Sequence, residues 1–154
     1  MTAPLALCVR RAPVPHQRDC GAEVSVRVPS AIAYVEEAVE LLARHCLAGY
    51  PTPPRTAFRL RVVLAEALAN AIICGNHEDP SKWVWVTVEL RPELIHIHIR
   101  DEGDGFDPAA VPEPLGREDL DRVCGRGIFL IRHLADHVTF NDRGNIICMT
   151  LRRR

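Results

Sequence analysis

The sequence predicts a two-layer α/β sandwich, and three observations carry that expectation. Stretches with an apolar residue at every second position are interleaved with stretches whose apolar residues recur at three- and four-residue steps. The strand-like stretches after the second helical one come in pairs joined by short turns, the mark of antiparallel hairpins. A chain of 154 residues, 47% apolar, can bury one core and leaves little room for a second.

Residues 1–21 contain Pro4, Pro13 and Pro15 among mixed charges without a sustained period, so they read as a flexible leader or a loosely docked arm ahead of one domain at 22–154. Val24, Val26 and Val28 alternate with Ser25 and Arg27 as in a half-buried strand, and Pro29-Ser30 then offers a stop and a helix N-cap. Ile32, Val35, Val39 and Leu42 recur at helical spacing to about Ala48, where Gly49 and the turn from Pro51 to Pro54 end the helix. A second helix is expected from about Thr56 to Cys74, with Leu60, Val63, Leu64, Ala67, Leu68 and Ala71 as its apolar stripe and Gly75 closing it. Lys82 to Leu90 and Leu94 to Asp101 read as a hairpin about Arg91-Pro92-Glu93. Glycines and prolines then forbid regular structure to roughly Glu118, and a third helix is expected to open at Gly125-Arg126-Gly127 and run to Ala135. His137 to Phe140 and Ile146 to Leu151, linked by Asn141-Asp142-Arg143-Gly144, form a closing hairpin.

A net charge of −1 and a pI near 6.6 give no global attraction to nucleic acid or an anionic membrane, and the basic run Arg152-Arg153-Arg154 reads as a solvated tail. Pro4 to Val9 is too short for a secretory signal, and no apolar run approaches spanning length. The six cysteines show no CxxC pair, so reduced thiols and a cytoplasmic setting are expected. The pairs His96/His98 and His133/His137 lack a nearby third ligand and read as structural, not metallic. Trp83 and Trp85 share a strand face opposite Val84, Val86 and Val88. That face is expected either to carry a homodimer or partner contact or to be covered by the N-terminal arm.

Three separated segments carry the chemistry. Glu66 and Asn70 lie four apart on the second helix, so they point into the same space, or else simply edge the helix with solvated groups. Asp101-Glu-Gly-Asp-Gly105 follows a strand end, and Gly125-Arg-Gly127 opens a helix. A Walker A sequence is absent, which excludes a P-loop.

In order and spacing these segments resemble the N, G1 and G2 boxes of the GHKL ATPases, and within that family they are most similar to the anti-sigma factor serine kinases. Val63-Leu-Ala-Glu-Ala-Leu-Ala-Asn-Ala71 with Ile72-Ile-Cys-Gly-Asn76 matches the N box, Asp101-Glu-Gly-Asp-Gly-Phe-Asp-Pro108 the G1 box, and Gly125-Arg-Gly-Ile-Phe-Leu-Ile131 the G2 box. The likeness spans Val24 to Leu151 and departs at Cys74, where the subfamily usually has His.

The resemblance implies a Bergerat fold, a mixed, mostly antiparallel sheet with helices on one face, and ATP with Mg²⁺ as cofactors. It implies a protein serine/threonine kinase that holds a sigma factor or similar regulator and phosphorylates an antagonist protein. The alternative within the same fold is a non-catalytic, ATP-gated binding module. Asn70 supplies a hard oxygen suited to Mg²⁺. Glu66 would orient or deprotonate an attacking hydroxyl near the γ-phosphate. Asp101 would accept a hydrogen bond from the adenine amino group, with Gly103 and Gly105 leaving room for the base. Gly125 and Gly127 would offer helix-start amides to phosphate, and Arg126 either adds charge there or faces outward. The segment between Gly105 and Gly125, with Glu113, Glu118, Asp119 and Asp121, is either a lid over the nucleotide or a mobile surface loop.

Overall fold

Rows of β-branched residues build the sheet. In the computed structural model, which describes residues 5–13, 20–110 and 123–154, the strands are β1 (Ala6–Pro13), β2 (Cys20–Pro29), β3 (Trp83–Leu90), β4 (Leu94–Arg100), β5 (His137–Phe140) and β6 (Ile146–Arg152). They form one sheet in the order β1-β2-β3-β4-β6-β5, and every pairing is antiparallel. Register aligns Val26, Val86, Ile99 and Ile147 across four strands, and Val24, Val88, Ile97 and Met149 beside them, so one face is a continuous apolar surface.

Against that face pack α1 (Val35–Ala48), preceded by a 3₁₀ turn at Ile32–Tyr34, then α2 (Pro54–Asn70) and α3 (Val123–Leu134). The stripe read from the second helix is the one that buries: Leu60, Val63, Leu64, Ala67 and Leu68, continued by Ala71 and Ile72. Each leucine, valine or isoleucine of this stripe contributes about 1.5–3 kcal/mol of burial. The two-layer α/β sandwich with helices on one face is therefore the observed architecture.

Several local expectations change. Ala6–Pro13, within the stretch read as a leader, pairs along β2 as the edge strand. Ser30 does not cap a helix; it is buried and its hydroxyl accepts the Asn76 amide at 2.6 Å, because the chain enters α1 through the 3₁₀ turn instead. The second helix leaves α geometry after Asn70 and ends in a π-turn at Ala71–Gly75. The third helix is already formed at Val123, ahead of Gly125.

The terminal arginines are not a solvated tail. Arg153 is half-buried, its guanidinium lies 4.9 Å from the Tyr50 ring centroid and donates to Thr52 Oγ1 at 2.5 Å, and the Arg154 carbonyl accepts from Thr56 Oγ1 at 3.0 Å. The end of β6 thereby clamps the connection between α1 and α2.

On the open face, the guanidinium of Arg27 lies 4.0 Å from the Trp83 ring and that of Arg100 4.5 Å from Trp85. These guanidiniums lie over the indoles, and the backbone of β1 extends the sheet sideways beside β2. Of the segment between Gly105 and Gly125, expected as a lid or a mobile surface loop, Pro108–Ala110 forms a 3₁₀ turn and Val123 already belongs to α3, while residues 111–122 lie outside the described residues. Among the described residues no helix is long and apolar enough to cross a membrane.

Candidate functional site

The site lies where α2 ends. Glu66 and Asn70 project from one face of its last turns toward α3 and converge on Gly127. A Cβ at Gly127 would sit 2.9 Å from the Asn70 carboxamide and 3.0 Å from Glu66 Oε2. The missing side chain is what lets a carboxylate and a carboxamide lie against the helix backbone.

Gly125 lies within α3, two positions after Val123, and lines the cavity between α2 and α3. The Gly127 N–H falls opposite the Val123 carbonyl in the helical ladder. The amide role expected of Gly127 thus gives way to steric clearance. Arg126 is exposed on the outer side of the helix.

Asp101 caps the end of β4 and is held from both sides. Its N–H donates to the Asn145 carbonyl at 3.0 Å, its carbonyl accepts the Asn145 side-chain amide at 3.3 Å, and Oδ1 accepts the Gly103 N–H at 2.8 Å. The carboxylate abuts Gly75 so closely that a Cβ there would overlap it. Gly103 faces the Gly75 carbonyl, and Gly105, at φ +81°, faces the Arg143 carbonyl. The room those two glycines leave is thus taken by the chain's own backbone. Burial pushes the Asp101 carboxyl above the usual carboxylate range; the Gly103 N–H and the cations Arg143, Lys82 and His77 pull the other way without cancelling it.

Between α2, β4, β6 and α3 opens a cavity of about 270 Å³. Its walls are largely apolar, with Ala71, Ile99, Ile128 and Phe140 among them, and Asp101 is its one charged group among the described residues. Phe106 closes one side, edge-on to Phe140 with ring centroids 5.4 Å apart. Of the residues singled out from the sequence, Asn70, Asp101, Gly105 and Gly125 line this cavity, and Glu66 and Gly127 stand beside Asn70. Gly103 supports Asp101 from behind. A flat apolar slot ending in a carboxylate suits a planar base, and an adjacent carboxamide oxygen with a carboxylate suits a hydrated divalent ion and the phosphates it accompanies.

Sequence reasoning gave Asn76, at the end of the N-box match, no role, and did not single out Asn145. Asn76 is fully buried and spends every polar atom: its Nδ2 donates to Ser30 Oγ at 2.6 Å and to the Trp83 carbonyl at 2.9 Å, while Oδ1 accepts the Glu102 N–H at 2.7 Å. It ties the π-turn to the loop after Asp101. Asn145 falls between the expected turn and the last strand, and only strand pairing brings it beside Asp101.

The cysteines also depart from expectation. Cys74, on the cavity wall, is disulfide-bonded, with a partner outside the side chains described, so the reduced state is not general. Cys46 is a buried free thiol that burial pushes up to about 12. His98 Nδ1 contacts Cys148 Sγ at 3.2 Å, and His96 Nδ1 contacts Thr150 Oγ1 at 3.0 Å.

The family model for the histidine kinase-like ATPase domain matches residues 28–151. Similar proteins include the anti-sigma F factor of Geobacillus thermodenitrificans, 32% identical over 89 residues that cover 56% of this chain and 60% of that protein. The anti-sigma F factor of Oceanobacillus iheyensis is 33% identical over 97 residues, 59% of this chain and 66% of its own length. That of Bacillus velezensis is 33% identical over 86 residues, covering 54% and 58%. The chain thus spans about three fifths of the length of the curated relatives it matches.

Proposed function

We propose that this chain, which belongs to the histidine kinase-like ATPase domain family, binds ATP and Mg²⁺ and transfers the γ-phosphoryl group to a serine or threonine of an antagonist protein, while sequestering a sigma factor or similar regulator. The observation that carries the reading is the convergence of Glu66 and Asn70 on the bare Cα of Gly127, beside an apolar cavity whose charged wall is Asp101. In this reading Asp101 takes the adenine amino group and the apolar walls exclude water from the base. Asn70 and the α3 N-terminal turn hold the phosphate end, and Mg²⁺ would screen the charge of the phosphates. Glu66 orients the incoming hydroxyl and accepts its proton. The sigma factor enters from the names of the anti-sigma F factor relatives, and the antagonist from the resemblance to the anti-sigma factor serine kinases.

Two variants test it. Asp101→Asn, followed by titration calorimetry, should bind ATP far more weakly; undiminished affinity would remove Asp101 from the base site. Glu66→Gln keeps size and polarity, so ATP binding should survive while phosphotransfer falls by a factor on the order of 10² to 10⁴. A parent protein that binds ATP and transfers phosphate to none of the antagonists encoded beside it would instead be an ATP-gated binding module. A homodimer or partner contact through the Trp83 and Trp85 face belongs to the same proposal; sedimentation of Trp83→Ser, Trp85→Ser should shift toward monomer or lose a partner.

A further inference from the structure

A second concave surface lies at the far end of the helical layer from the nucleotide cavity. Helices α2 and α3 run antiparallel: Gly127 meets Glu66 at one end, and the Leu134 carbonyl accepts from Arg59 Nε at 2.6 Å at the other. Between the start of α2 and the end of α3 the surface dips into a groove of about 800 Å³. Its floor is Leu134 and Ala135, and one wall is Phe58.

Phe58 is the most exposed large apolar side chain among the described residues, at 62%. A single exposed ring is ordinary. This one stands in a concavity ringed by Arg55, Arg59 and Arg154, against the lone acid Asp136. Asp136 is already spent internally, bonding Arg59 at 2.8 Å, Arg154 at 3.6 Å and the Arg152 N–H at 2.8 Å. Three guanidiniums against one satisfied carboxylate leave the groove cationic, in a chain whose overall charge is −1.

We infer that this groove docks an acidic segment of a protein partner, with an apolar side chain of that segment laid on Phe58 and its carboxylates meeting Arg55 and Arg154. The charge excludes a basic segment, and the apolar floor favours a peptide with apolar anchors over a uniformly charged polymer. Arg55 and Arg154 make the paired, planar contacts carboxylates prefer. Arg59, held by Leu134 and Asp136, keeps the floor rigid.

The test uses the whole chain and a fluorescein-labelled peptide of repeated Leu-Glu-Glu units, with Leu-Lys-Lys repeats, oligoglutamate and single-stranded oligothymidylate as competitors. The Leu-Glu-Glu peptide should bind at least about ten-fold more tightly than any of the three and weaken as salt is raised. Phe58→Ser and Arg55→Glu, both at the surface and away from the nucleotide cavity, should each weaken it about ten-fold while leaving ATP affinity and the thermal midpoint unchanged. Amide shifts on titration should cluster at residues 54–60 and 131–136. Equal binding of the lysine peptide, tighter binding of oligothymidylate, shifts confined to the nucleotide cavity, or variants that bind like the parent would each overturn the assignment.

Discussion

Gly127→Ala should separate stability from function in this protein. In a helix interior the change to alanine is favourable by about 1 kcal/mol, because glycine loses more backbone entropy on folding. The added Cβ would lie 2.9 Å from the Asn70 carboxamide and 3.0 Å from Glu66 Oε2. Ordinary contact needs about 3.5 Å, so both side-chain ends must retreat by roughly half an ångström. They are the ends of flexible side chains, so the retreat is cheap in folding energy and falls entirely on the site. Displacement on this scale, applied to the proposed metal ligand and the proposed base together, should lower Mg-dependent ATP affinity about ten-fold and phosphotransfer by up to about 10². The thermal midpoint should hold or rise by about 2–4 °C. Calorimetric titration with MgATP and a thermal melt of the same sample measure both. An unchanged affinity, or a midpoint that drops several degrees, would refute the steric account of Gly127.

Asn76→Ala strips the partners from Ser30, the Trp83 carbonyl and the Glu102 N–H, and should cost about 2–4 kcal/mol in urea unfolding while loosening the Asp101 loop; a loss below about 0.5 kcal/mol would show that water replaces the amide. Burial alone would raise the Asp136 carboxyl, but the Arg152 N–H, Arg59 and Arg154 together hold it below the usual carboxylate range. Its stabilisation is therefore present above about pH 3.9 and lost as pH falls through the lower folded value, so Asp136→Asn should be less stable than the parent at pH 7, by under about 1 kcal/mol at this partly exposed site, and equal to it in strong acid. A gap that persists unchanged at low pH would contradict this. Cys46, its thiol pushed up to about 12, should resist iodoacetamide at pH 8 in the native protein and react in urea, as read by peptide mapping; comparable native labelling would place it outside the core.

Much of the fold was legible because its signals are local and periodic. The valine row of β2, the isoleucine row of β4 and the stripe of α2 bury as their spacing requires. Glu66 and Asn70 share a face because four residues make about one helical turn. The edge strand β1 was not legible, since it owes its structure to pairing with β2 and not to any apolar period of its own. The terminal arginines were misread for the same kind of reason: Tyr50, Thr52 and Thr56, which bind them, are about a hundred positions away in the chain.

By itself, then, the sequence determined the layering, the order of the elements from β2 onward and the segments that meet at the site, because hydrophobic period and turn chemistry act over a few residues. Tertiary structure decided what those segments do to one another. Gly127 matters through the side chains of a different helix, Asp101 is set by Asn145 from a distant hairpin and by Gly75 from the π-turn, and Asn76 joins three elements with one carboxamide. Clearance and buried hydrogen bonding are properties of atoms that meet in space, and no local pattern along the chain encodes which atoms those will be.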